Sequence, residues 1–103
     1  MSKLSNLSRS IEGKVVFITG AGSGMGRATA KLFAEYGAKV AVSDLNKDSA
    51  AETVEQILQA DCAAKAWELD VTDADAIKNT IEEAAAHYSG LDVLINNAGI
   101  SLR

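Results

Sequence analysis

Residues 15–26 read V-V-F-I-T-G-A-G-S-G-M-G, an apolar run that breaks into four glycines within seven positions: Gly20, Gly22, Gly24 and Gly26. Asp44 ends a second apolar run eighteen positions after the last of them. The pairing restricts the fold sharply. The run at 15–18 suits a buried parallel strand. The glycines let the backbone turn and approach a ligand where a Cβ would collide. A helix starting inside the loop would then turn free N–H groups and the positive end of its dipole towards phosphates. An acid about twenty residues further on can accept hydrogen bonds from ribose hydroxyls. Turns also collect glycine, but a turn does not need a strand before it, a helix after it and an acid at the next strand end. A P-loop is excluded, because Arg27 and Ala28 follow Gly26 where that motif needs a lysine and a hydroxyl.

The rest of the chain alternates strand and helix with short links, which implies α/β architecture with a parallel sheet covered by helices on both faces. Strands are expected at 14–19, 39–43, 64–69 and 91–95. The first helix runs from the glycine loop to Tyr36, with Ala28, Leu32 and Phe33 available for the sheet and Gly37 at C′. The second covers 48–60, with Ser49 and Glu52 as a capping box and Ala51, Val54, Ile57 and Leu58 as its stripe. The third starts at Thr72, capped by that hydroxyl and answered by Asp75. It buries Ile77, Ile81, Ala84 or Ala85, and Tyr88, and Gly90 closes it. Right-handed crossovers with a reversal after strand three give the order 3-2-1-4, a partial Rossmann-type sheet β-α-β-α-β-α-β.

A chain of 103 residues makes one small domain, expected as a flexible tail over 1–12 and a dinucleotide-binding half-domain over 13–103. The net charge of −4 carries no basic run, which argues against nucleic acid as a partner. The single cysteine, Cys62, cannot close an internal disulfide, and no apolar stretch reaches the length of a membrane span. The first residues lack the apolar region of a secretory signal. A cytoplasmic protein is expected. Trp67 is read as packing, His87 as a favourable charge near a helix end, and Cys62 as inert.

With the fourth strand in view, the sequence resembles the short-chain dehydrogenases/reductases. T-G-A-G-S-G-M-G at 19–26 matches their T-G-x-x-x-G-x-G, D-V at Asp70 and Val71 their adenine-contact pair, and N-N-A-G at 96–99 their strand-four signature. The resemblance runs from Gly13 to the C-terminus. It implies that Gly20, Gly24 and Gly26 shape a pyrophosphate loop, with Ser23 and Met25 along the cofactor. It implies Asp44 on the adenosine ribose with Leu45 next to it, the Asp70 side chain and Val71 backbone on adenine, and Asn97, Ala98 and Gly99 beside the cofactor. The implied cofactor is NAD(H), preferred over NADP(H) because Asp44 would repel a 2′-phosphate. Asp44 is expected at a solvent-facing strand end, where its removal would cost the fold little stability.

The family's catalytic Tyr-x-x-x-Lys is absent: Tyr36 is followed four positions on by Val40, and Tyr88 by Asp92. No position matches the family's catalytic serine, so no catalytic or metal-binding residue is assigned and no turnover by this chain alone is expected. The implied role is the NAD(H)-binding N-terminal portion of an oxidoreductase acting on an alcohol or carbonyl. The alternative is a free-standing or split nucleotide-binding module with no reaction of its own. Leu91, Val93, Leu94 and Ile95 would form an apolar sheet edge that only Asp92 guards, so self-association or a completing chain is expected there.

Overall fold

A computed structural model describes residues 11–97. It contains β1 (Val15–Thr19), α1 (Gly24–Glu35), β2 (Lys39–Asp44), α2 (Lys47–Gln59), β3 (Ala63–Glu68), α3 (Ala74–Tyr88) and β4 (Val93–Asn96). The sheet is parallel throughout, in the order β3-β2-β1-β4. That is the order expected from the chain's alternation. Val16 pairs with Val40 on one side and Val93 on the other, so β1 is central. Every residue of β1 is buried, as its unbroken apolar run requires when helices cover both faces.

The pleat divides the core in two. Val16, Ile18, Val40 and Val42 face α1 and α2, meeting Ala30, Ala34, Ala50 and Ile57. Phe17 and Ala41 face the other way, towards Leu69 and Ala84, with Trp67, Ile77, Ile81 and Tyr88 packed around them. Ile11, expected in the tail, is 8% exposed and belongs to the first cluster. Residues 1–10 of the expected tail lie outside the described residues.

The helix faces differ from the periodicity reading in an instructive way. On α1 the buried positions are Gly26, Ala30 and Ala34, whereas Ala28 is exposed and Leu32 is 46% exposed. Gly26 must lie against the glycine loop, and steps of four from it put Ala30 and Ala34 on the sheet. That contact sets the helix phase, and small side chains let the helix approach closely. On α2, Ala50, Thr53 and Ile57 are buried while Ala51 is exposed and Leu58 is 52% exposed.

The caps also differ. Asn46, not Ser49, caps α2, its side chain accepting from Ser49 N at 3.0 Å. Asp73, not Thr72, caps α3, accepting from Ala76 N at 3.1 Å. At the end of α3 the left-handed residue is Ser89 (φ +63°), and Gly90 follows, donating its N–H to Ala85 O at 2.7 Å.

The two sheet edges are unlike. On β3, Trp67 donates Nε1–H to Glu83 Oε1 at 3.1 Å, and Lys65 Nζ lies 5.5 Å from its ring centre. Both fit the packing role expected of Trp67. On β4, Asp92 does not guard the edge: its carboxylate accepts from Val15 N at 2.8 Å and its own N–H donates to Val15 O at 2.9 Å. These bonds fasten the approach to β4 onto β1, and the strand itself runs Val93–Asn96 where 91–95 is expected. Leu94, on the α3 side of the sheet, stays 53% exposed, and among the described residues no strand pairs with the outer edge of β4.

Candidate functional site

The carboxyl ends of β1, β2 and β4 bring the glycine loop, Asp44 and Asn97 together. Gly26 packs directly on the loop: a Cβ there would lie 1.9 Å from Gly20 O and 2.9 Å from Asn97 Nδ2. Asn97 Nδ2 donates to the same Gly20 O at 3.2 Å, so β4's end and α1's start converge on one carbonyl. Below them, Thr19 Oγ1 donates to Asn96 Oδ1 at 2.9 Å. Gly24 is different. Its φ of +55° suits glycine, and a Cβ there would meet nothing within 4 Å, so the loop stays open above it.

The N-terminus of α1 lies in this opening. Ser23 is the N-cap residue in an extended conformation, but its side chain makes no capping bond, and the first turn holds no acid. The other two helices have side-chain caps. The positive end of α1 therefore faces the loop without an internal anion. Ser23, Gly24 and Met25 are exposed, and Met25 (77%) and Leu45 (66%) are the most exposed large apolar side chains described.

Asp44 is half-buried, not solvent-facing as expected. Its Oδ2 accepts from Gly22 N at 2.8 Å and its Oδ1 from Asn46 N at 2.9 Å. Its backbone carbonyl accepts from Leu69 N at 2.9 Å, which joins it to the end of β3. The acid that ends strand two is thus also the anchor of the glycine loop. A carboxylate has about four acceptor positions; these two N–H groups leave about half of them for ligand hydroxyls.

Asp70 and Val71 follow β3 in the next position along the sheet edge. Asp70 is exposed, and its Oδ1 accepts from Thr72 Oγ1 at 2.6 Å and Thr72 N at 2.9 Å. The Thr72 hydroxyl, and secondly the Thr72 N–H, hold the Asp70 carboxyl below the usual carboxylate range. Because the folded value is lowered, this turn contributes in full above the unfolded pKa and is lost as pH falls through the folded one. Thr72→Val is expected to move the Asp70 midpoint upward, so the turn opens at higher pH; carboxyl chemical shifts followed through an acid titration check it. Val71 is half-buried and packs with the Phe17 cluster. Ala98 and Gly99 lie outside the described residues.

Three further residues support the loop without a signal in the sequence motif. Ser43 Oγ donates to Ile18 O at 2.9 Å, while its carbonyl accepts from Ala21 N at 2.9 Å. Thr53 Oγ1, buried in mid-helix, donates to Ala21 O at 2.8 Å. Arg27 Nε donates to Thr53 Oγ1 at 2.9 Å. Long-range partners of this kind leave no local pattern to read.

Burial pushes the Tyr88 hydroxyl above its ordinary value. It packs in the Phe17 cluster with His87 edge-on at 4.5 Å. No helix among the described residues is long and apolar enough to cross a membrane.

Residues 14–103 match the model of the family described as short chain dehydrogenase. Secoisolariciresinol dehydrogenase of Forsythia intermedia is 41% identical over 98 residues, covering 95% of this chain and 35% of that protein. The 3-oxoacyl-(acyl-carrier-protein) reductase of Thermotoga maritima is 43% identical over 91 residues, covering 88% and 37%. Among solved structures, the hydroxysteroid dehydrogenase of Escherichia coli superposes with a TM-score of 0.85 at 37% identity, over 89% of this chain and 39% of that one. The chain spans about a third of the length of the curated relatives it matches.

Proposed function

We propose that this chain, which belongs to the short-chain dehydrogenase family, is the NAD(H)-binding portion of an oxidoreductase that moves hydride between the cofactor and an alcohol or carbonyl. The observation that carries the reading is the Asp44 carboxylate bonded to Gly22 N, which holds a ribose acceptor and a phosphate loop in one unit. The fit to a dinucleotide rests on the loop itself, with an opening above Gly24 beside an uncapped helix N-terminus. The bound cofactor would supply the hydride chemistry. The residues present would position it: Gly20, Ser23, Gly24, Met25 and Gly26 around the pyrophosphate, and Asp44 and Leu45 at the adenosine ribose. Asp70 and Val71 would meet adenine. Asn97, with Ala98 and Gly99, would flank the cofactor where β4 opens.

NAD(H) is preferred over NADP(H) in this reading. The Asp44 carboxylate opposes a 2′-phosphate, and Leu45 supplies no countercharge. Arg27, in the first turn of α1, follows the loop directly in sequence, but its guanidinium is 2.7 Å from Glu52 Oε1. Tighter calorimetric binding of NAD than of NADP is the expected result, and the reverse order would refute the assignment.

The exposed Leu94 and the open edge of β4 support a further part of the reading, that this edge takes a completing chain segment or a second copy. Sedimentation in the same titration samples should show association, and a monomer at all concentrations would remove that part. A cytoplasmic location belongs to the same proposal, tested by fractionating cells that make the protein.

A further inference from the structure

We propose that Arg27, backed by Thr53, is a positioning residue that locks the glycine loop in its anion-accepting shape; the inference rests on the dinucleotide reading above. Thr53 is fully buried in α2 and donates to Ala21 O at 2.8 Å. Arg27 Nε donates to that hydroxyl at 2.9 Å, and Arg27 NH2 donates to Gly22 O. The same NH2 group reaches Ser49 O at 3.4 Å and Glu52 Oε1 at 2.7 Å. Two successive loop carbonyls are thereby held against α2 by a single connected cluster.

The physical need for this is specific to glycine-rich loops. Peptide units flanked by glycine turn over easily, because no Cβ opposes the rotation. A turned peptide would aim its carbonyl oxygen, and not its N–H, at a bound phosphate. Holding the Gly22 carbonyl on the α2 side removes that alternative for the Gly22–Ser23 peptide before the ligand arrives, which lowers the ordering cost of binding. The Ala21–Gly22 peptide is fixed at both ends, its carbonyl on Thr53 and its N–H on Asp44. The placement of Arg27 is otherwise unfavourable, since a cation near the start of α1 opposes the helix dipole. Glu52 offsets the charge, and the planar fork of the guanidinium serves several acceptors in fixed directions, which a lysine cannot do.

The test is calorimetric titration of ADP into the full 103-residue chain and its variants Arg27→Leu, Arg27→Lys, Thr53→Val and Thr53→Ser, with the fold of each followed by circular dichroism. Arg27→Leu, Arg27→Lys and Thr53→Val should each weaken ADP binding about tenfold or more, the worth of one charge-assisted or buried hydrogen bond. Thr53→Ser keeps the hydroxyl and should bind like the parent chain. Should buried Thr53→Val fail to fold, the Arg27 pair still decides, because that side chain is 23% exposed. Unchanged affinity in Arg27→Leu overturns the proposal. So does parental affinity in Arg27→Lys, which would show that positive charge alone suffices. If the parent chain binds neither ADP nor NAD, the dinucleotide reading itself fails, whereas a fault in the clamp shows only in the variants.

Discussion

Gly26→Ala is expected to remove a large part of the chain's folding stability, well beyond the cost of Gly24→Ala. The added methyl would lie 1.9 Å from Gly20 O and 2.7 Å from Gly20 C, both backbone atoms, and 2.9 Å from Asn97 Nδ2. No rotamer relieves a clash with backbone. Relief requires α1 to move off the loop, which withdraws Ala30 and Ala34 from the core and breaks the Asn97 bond to Gly20 O. Overpacking of this kind costs about 3 kcal/mol or more, against a total stability of about 5–15 kcal/mol for ordinary domains. Gly24→Ala is the informative comparison, since nothing lies within 4 Å of its Cβ and only the φ of +55° is unfavourable. It should cost about 1–2 kcal/mol. Urea unfolding followed by circular dichroism measures both. A Gly26→Ala midpoint equal to that of Gly24→Ala would show that the helix shifts freely.

Asp44→Ala is expected to lose both cofactor selectivity and stability. A carboxylate at a solvent-facing strand end could be removed with little effect on the fold. The observed carboxylate instead holds Gly22 N at 2.8 Å and Asn46 N at 2.9 Å, linking the glycine loop to the residue that caps α2. Two backbone donors lose their partner together, a loss of about 1–3 kcal/mol where burial keeps water from replacing it. In the same variant NAD should bind more weakly, and its advantage over NADP should narrow, because the charge that opposes a 2′-phosphate is gone. Melting curves without ligand report the first effect, and paired NAD and NADP titrations the second. An unchanged midpoint with a lost NAD preference would return Asp44 to a purely ligand-facing role.

The sequence alone determined the sheet and the meeting of the glycine loop with Asp44 at its carboxyl edge. Unbroken apolar runs, each followed by a helical period, admit one economical parallel order, and β3-β2-β1-β4 is observed. The glycine spacing and Asp44 were legible because each is a backbone requirement at a strand end. Family membership was legible in three short motifs, because each sits where its strand ends. What tertiary structure decided was which of several competent neighbours does each job. Asp70, Thr72 and Asp73 can all serve the turn before α3. Thr72 went to Asp70, leaving Asp73 to cap. Hydrophobicity favoured Leu32 for the sheet face of α1, but Gly26 had to touch Gly20, and that contact rotated Ala30 and Ala34 inward. Arg27 and Thr53 meet across 26 positions of chain. Local pattern does not reach that far; only the packing of α1 against α2 brings a guanidinium, a buried hydroxyl and two loop carbonyls within hydrogen-bonding distance.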